Sequence, residues 1–195
     1  MLDREIGFTG PEPQNSAPMP AARAQGTIYH GGVLVKSGDV AEGLSLMRRG
    51  SEAFSATGAR MLVPYHMALL AMASEIAGQI DEAMEALNDA LQMVERTGER
   101  WLVAELCRRK GQLLVRQGQA GAAEELYRKS LSVAEEQGAK LWKLRAATSL
   151  ARLWGEQRRR VQARDLLAPV YGWFTEGFDT ADLKEAKALL ESLDA

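Results

Sequence analysis

The sequence predicts an all-α fold, a right-handed solenoid of four helical hairpins closed at its C-terminal end by a capping helix. Three observations carry this reading. Gly78, Gly98, Gly118 and Gly138 fall twenty residues apart, with amphipathic segments one helix long between them. Shifted by forty residues the pattern returns: Gly38, Gly78 and Gly118 align with Arg158 in the fourth slot, and Gly58, Gly98 and Gly138 align with Gly177 one residue out of step. A fixed period in this range marks a stacked repeat array. Apolar residues also recur at spacings of three and four, as in Ala83, Leu87, Ala90, Leu91 and Val94, and again in Leu126, Tyr127, Leu131 and Ala134. That is the period of a helix with one buried face, and no segment alternates as a strand would.

The elements follow in order. Residues 1–20 are predicted to be a disordered tail, because four of the six prolines (Pro11, Pro13, Pro18 and Pro20) fall there. Proline fixes φ and removes a backbone donor, so no helix continues through such a run. A single repeat domain is then expected over 21–195, with helices at 21–37, 40–57, 60–77, 80–97, 100–117, 120–137, 140–157, 160–175 and 181–193. The repeats are therefore 21–57, 60–97, 100–137 and 140–175. Most helices stop at glycine, which supplies the left-handed conformation that ends a helix. Asp39 and Asp81 stand near helix starts, where acidic groups meet free backbone N–H groups. Pro64 falls in a first turn, where its missing donor is harmless. Pro169 falls inside the eighth segment and should kink that helix or end it early. Asp179 or Thr180 can cap the last helix. Connections of two or three residues make neighbouring helices antiparallel. In the last helix Leu183, Ala186, Leu190 and Leu193 form an inward stripe, while Lys184, Glu185, Lys187 and Glu191 face out, as a cap requires.

Four columns recur at period forty: Gly31, Ala71, Gly111, Ala151; Gly43, Ala83, Ala123, Ala163; Met47, Leu87, Tyr127, Leu167; and Gly50, Ala90, Ser130, Val170. Helices approach closely only where side chains are small, and a large residue locks the crossing between them.

The offsets of these columns resemble the tetratricopeptide repeat, which places small residues at its positions eight, twenty and twenty-seven and a large apolar residue at twenty-four. The resemblance spans residues 21 to 175. The chain departs from the family's early aromatic, having Thr27, Met67, Cys107 and Ala147 there. The family's terminal proline is also absent, and the unit is forty residues rather than thirty-four, so each helix is about a turn longer. The runs LRAATSLARLW at 144–154 and ARDLLAPVYGWFTEGFDTADLKEAKALLESL at 163–193 resemble the C-terminal end of a bacterial family. The match takes in RRGSEAFSATGARMLVPYHMALLA and VERTGERWLVAEL as well. Those proteins join a class III adenylate or guanylate cyclase domain, or a winged-helix domain, to a nucleotide-binding ATPase core and then to such repeats. The resemblance implies a regulatory region, not the catalytic part.

Composition narrows the function. Hydrophobic residues make up 46% of the 195, which suits a globular chain, and the net charge of −2 offers no global field for nucleic acid or an acidic membrane. No apolar run approaches the roughly 18 residues of a membrane helix. The opening MLDREIGF lacks the apolar core of a secretion signal. With Cys107 alone there is no internal disulfide, and a reducing, cytoplasmic setting is expected. No phosphate loop, dinucleotide fingerprint or zinc spacing occurs. His30 and His66 read as ordinary surface or groove histidines and Cys107 as a small core residue, and Glu124–Glu125 and Glu135–Glu136 point to different helix faces as solvated charges. The run Arg158, Arg159, Arg160 and Arg164 lacks interleaved aromatics and reads as a solvated turn. No enzyme activity, cofactor, metal, nucleic acid or membrane partner is expected.

The expected site is the groove that the family's first helices line, and the repeat register places its residues. Hairpin one gives Gln25, Tyr29 and Lys36; hairpin two gives Tyr65, Leu69 and Met72. Hairpin three gives Glu105, Arg108, Arg109, Gln112 and Arg116, and hairpin four gives Arg145, Ser149 and Arg152. Arginine forks take carboxylates bidentately. The expected partner is therefore a protein or peptide with acidic groups toward residue 150, unless these arginines pair with glutamates of neighbouring helices. The other readings are a small-ligand sensor using Trp142, Trp154 and Tyr65, and a role named for the wider family's cyclase or ATPase activity. The first hairpin has no capping helix before it. The chain is accordingly expected to be part of something longer, or to form a homodimer through that hairpin.

Overall fold

A computed structural model describes residues 19–194. Among these residues the secondary structure is helical, with no strand. In order the helices are α1 (Pro20–Ser37), α2 (Val40–Ala56), α3 (Val63–Ile76), α4 (Ile80–Thr97), α5 (Val103–Arg116), α6 (Ala120–Glu136), α7 (Lys140–Glu156), α8 (Arg160–Tyr171) and α9 (Ala181–Asp194), with a 3₁₀ turn at Arg100–Leu102 before α5. Pro11, Pro13 and Pro18 of the expected tail lie outside the described residues. Pro20 stands in the first turn of α1, so the helix begins one residue before its predicted start.

The differences from the predicted bounds have local causes. Helix α3 starts at Val63 rather than 60, because Leu62 holds φ 68°, outside the helical region, and Pro64 follows in the first turn. The fifth segment opens as a 3₁₀ turn rather than α-helix. Helix α8 ends at Tyr171, not 175: Pro169 lies two residues before its end and offers no amide hydrogen to the preceding turn. Thr180 precedes α9, but its hydroxyl donates back to the Gly177 carbonyl at 2.7 Å. The fourth slot of the glycine column holds an exception. Arg158 takes φ 63° there, a left-handed conformation that costs a side-chain-bearing residue energy.

The chain divides between Met61 and Leu62 into two compact units. In the first, α1 packs closely on α2, with glycines at three points of the crossing. A Cβ on Gly31 would lie 2.5 Å from the Gly43 carbonyl oxygen, and one on Gly43 would lie 2.6 Å from the Gly31 carbonyl oxygen. A Cβ on Gly50 would meet Ile28 at 2.8 Å. Ile28 and Met47 are buried beside them.

The second unit holds the hairpins α3–α4, α5–α6 and α7–α8, with α9 packed on α7 and α8. Here Ala83, Ala90, Ala123, Ala151 and Ala163 are fully buried, and Leu87, Tyr127 and Leu167 fill the crossings. One core cluster runs from Ala71 through Leu87, Leu106, Cys107 and Leu113 to Ala134. A second runs from Ala123 and Tyr127 through Leu150 and Leu167 to Leu183, Ala186 and Leu193 of α9. The inward stripe of α9 is thus seated on the last hairpin, with Leu190 half-buried beside it. The buried Ser130 hydroxyl donates to the Ala104 carbonyl at 2.6 Å, tying α6 to α5.

Candidate functional site

Helical spacing makes one face of α5 polar. Glu105, Arg108, Arg109, Gln112 and Arg116 recur at threes and fours, and Arg145, Ser149 and Arg152 do the same on α7. Because α5 packs on α7 and α7 on α9, these faces adjoin within the second unit. They line two hollows. The larger, of about 260 Å³, is bounded by Arg108, Arg109, Gln112, Arg145, Thr148, Ser149, Asp182 and Glu185. The smaller, of about 180 Å³, is bounded by Glu75, Gln112, Val115, Arg116, Tyr127, Ser149, Arg152, Leu153 and Glu156. Gln112 and Ser149 line both.

The arginines meet carboxylates from their own and neighbouring helices. Arg108 donates through Nε and Nη2 to both oxygens of Glu105, at 2.7 and 2.6 Å, and both residues are buried. Its Nη1 reaches the Ser149 hydroxyl at 3.4 Å. Arg109 donates to Glu105 at 3.1 Å and lies 3.8 Å from Glu75, while Arg116 lies 3.0 Å from Glu75. Arg145 grips Asp182 of α9 bidentately at 2.7 and 2.8 Å, stands 3.9 Å from Glu105, and lies over the Trp142 ring. Arg152 donates to Glu185 of α9 at 2.6 Å. The result is an ion-pair ladder running from α3 across α5 and α7 to α9.

Its electrostatics follow from burial and company. Burial pulls the Glu105 carboxyl upward, but the Arg108 hydrogen bond and the charges of Arg108, Arg109 and Arg145 outweigh it and hold the group below its usual range. The hydrogen bond to Asp182 raises Arg145 further, against a smaller opposing effect of burial. The Tyr127 hydroxyl, buried under the smaller hollow, is pushed up to about 12, so it stays protonated.

The structure brings together seven of the predicted groove residues: Arg108, Arg109, Gln112, Arg116, Arg145, Ser149 and Arg152. Tyr65, Leu69 and Met72 are half-buried on α3 and line neither hollow. Tyr65 faces Trp101, with ring centroids 6.0 Å apart. Tyr29 belongs to the first unit, where it accepts a hydrogen bond from Gln25 at 2.7 Å. Trp142 and Trp154 sit in different core clusters. The sequence reading missed the partners. Register alone places neither Glu75 nor Asp182 in the groove, and it sets Glu185 on the outward face of the cap. The signal available was their position: Asp182 and Glu185 follow the first residue of α9 by one and four, on the side that meets α7.

Other groups are spoken for. Cys107 is buried in the first core cluster, which pushes its thiol up. In the basic turn Arg159 pairs with Glu124 at 2.9 Å and lies over Trp154, Arg160 donates to the Ser192 carbonyl, and Arg164 pairs with Asp194. Among the described residues no three His, Cys, Asp or Glu side chains gather as a metal site, and no helix is long and apolar enough to cross a membrane.

A scan against protein-family models finds no match, and neither does a search of curated proteins. Solved structures do match in shape. A Podosopora anserina chain, described as kinesin-light-chain-like with nearly identical TPR-like repeats, superposes with TM-score 0.68 at 19% identity, covering 90% of this chain and 87% of its own. BtubC (BKLC) from P. vanneervenii gives TM-score 0.65 at 18% identity, covering 90% and 88%. The apo form of RapI gives TM-score 0.72 at 13% identity, over 90% of this chain and 49% of RapI. At these identities the likeness establishes the fold, an all-helical TPR-like solenoid.

Proposed function

We propose that this chain is a non-catalytic protein-interaction module whose polar face on α5 and α7 takes an acidic peptide segment. One observation carries the reading. Arg108, Arg109, Arg116, Arg145 and Arg152 converge on two adjoining hollows that share Gln112 and Ser149. Guanidinium forks on rigid helices recognise carboxylates with fixed geometry. The larger hollow is polar, the smaller one adds Val115, Tyr127 and Leu153, and both are open, which suits side chains of a peptide laid across them better than an enclosed metabolite. No nucleophile–base pair lies in them, so binding rather than turnover is the function they support. The resemblance in the C-terminal run points to the regulatory end of a cyclase- or ATPase-type signalling protein, working in the cytoplasm.

The test is charge reversal. R109E/R145E should abolish binding of an acidic partner while the helical circular dichroism persists. Gln112→Trp should also block it, by filling both hollows without altering charge. Unchanged affinity in both variants would sink the reading.

A further inference from the structure

The arginines of this face all meet carboxylates: Arg108 is buried, Arg109 and Arg145 are partly covered, and Arg116 and Arg152 are exposed. They are covered by carboxylates of two kinds, and the kinds differ in how firmly they are held. Glu105 is fixed: it is buried, doubly bonded to Arg108 and approached by Arg109 and Arg145. Removing such a carboxylate from its pair would strand a buried cation. Asp182 and Glu185 are different. They come from one helix face, three residues apart, and stand at the rim of the larger hollow. The Arg152–Glu185 pair is half exposed on both sides. A pair of that exposure contributes little net stability, because water solvates the separated partners nearly as well; Arg145–Asp182, bidentate and only 29% and 24% exposed, is the firmer of the two.

Helix α9 does not depend on these pairs for its seat. Leu183, Ala186 and Leu193 anchor it in the core, Arg160 donates to its Ser192 carbonyl at 2.8 Å, and Arg164 pairs with Asp194. Its carboxylates can therefore turn away while the helix stays in place. Asp182, when released, still lies in the first turn of α9, where the free N–H groups favour a negative charge.

We propose that Asp182 and Glu185 act as an internal acidic occupant of the arginine cleft, and that an acidic partner segment binds by taking their places on Arg145 and Arg152. This rests on the peptide-binding reading above and adds its regulation. The cleft is held closed to weak or singly charged ligands, and a segment with several carboxylates outcompetes the two rim groups. The partner's chemistry follows from the occupant: a helical or extended segment whose carboxylates can reach two arginines seven residues apart on one helix.

The experiment uses the full chain and a fluorescein-labelled hexaglutamate peptide, followed by anisotropy at low and high salt. D182N/E185Q should bind it about tenfold more tightly than the parent, with the gain shrinking as salt rises. Adding R145A/R152A to that background should erase the gain. D89N/E95Q, which removes the same charge from the exposed side of α4, should leave affinity unchanged. Equal binding by the parent and D182N/E185Q, with loss in R109E/R145E, would overturn the internal occupant and leave the acidic-peptide reading standing. A gain reproduced by D89N/E95Q, or one that survives R145A/R152A, would also overturn it, as a net-charge effect. No binding by any variant would overturn both readings together.

Discussion

The first hairpin and the third share one column pattern and are held together by opposite means. In α1–α2 both helices place glycine at the crossing, and backbone approaches backbone beside Val35 and Met47: Gly31 against the Gly43 carbonyl, and Gly43 against that of Gly31. In α5–α6 only one side is empty. The ring of Tyr127 lies over Gly111, so close that a Cβ there would be 2.6 Å from its Cε1 atom. A polar anchor also crosses between the helices, the Ser130 hydroxyl on the Ala104 carbonyl. Small-against-small packing brings chains close but offers nothing to recognise a ligand. Small-against-large packing holds α5, the helix that shares the site with α7.

The comparison is broken most severely at Glu105. Glu105→Ala should cost about 3–5 kcal/mol in urea unfolding of the second unit, because it leaves Arg108 buried without its partner. Hydrogen exchange in α1–α2 should not change. A loss below about 1 kcal/mol would mean the pair behaves as a surface one. The same group predicts an acid dependence. Its folded pKa lies below the ordinary 4.5, so its stabilisation is present above that value and is lost as pH falls through the folded pKa. The urea midpoint of the parent should therefore drop below pH 4.5 more steeply than that of Glu105→Gln.

Next come the glycines. Gly31→Ala and Gly111→Ala should each cost about 1–3 kcal/mol by overpacking. Only the second should be rescued by a partner change. Tyr127→Leu removes the ring that meets the new methyl, so the double variant with Gly111→Ala should lose less than the two single changes added. No side-chain truncation can move the Gly43 carbonyl away from residue 31, and Gly31→Ala with Met47→Ala should show no such rescue.

The smallest effect is expected at Arg158. Its left-handed backbone is strained, its slot holds glycine in the other repeats, and Arg158→Gly should raise stability by about 0.5–1 kcal/mol in thermal unfolding. A loss would show that the side chain makes a contact worth more than the strain.

Most of the architecture was legible because the repeat writes each rule several times. Glycines at Gly38, Gly78 and Gly118 mark stops, and the columns through Ala83 and Leu87 give the buried faces, all of which the helices obey. The end of α8 was legible in kind, through Pro169, but not in position. The 3₁₀ start at Arg100 was not, since nothing in its composition separates it from an α-turn. At the site the arginines could be placed by register, since register fixes which face of a helix a residue takes. Their carboxylates could not. The partner of Arg145 lies thirty-seven residues away on a helix outside the repeat, and charge on an amphipathic surface reads the same whether it faces water or an arginine.

Repeat arrays are ordinarily treated as strings of interchangeable parts, each touching only its neighbours. The ladder from α3 to α9 limits that freedom here. Excising the hairpin α5–α6 would leave Glu75 without Arg109 and Arg116, and would take Glu105 from Arg145. Duplicating α7–α8 would separate one copy of Arg145 and Arg152 from the only helix that supplies Asp182 and Glu185. The charges thus give these hairpins an order. A version of this protein one repeat longer or shorter would need new carboxylates before it could keep the same face.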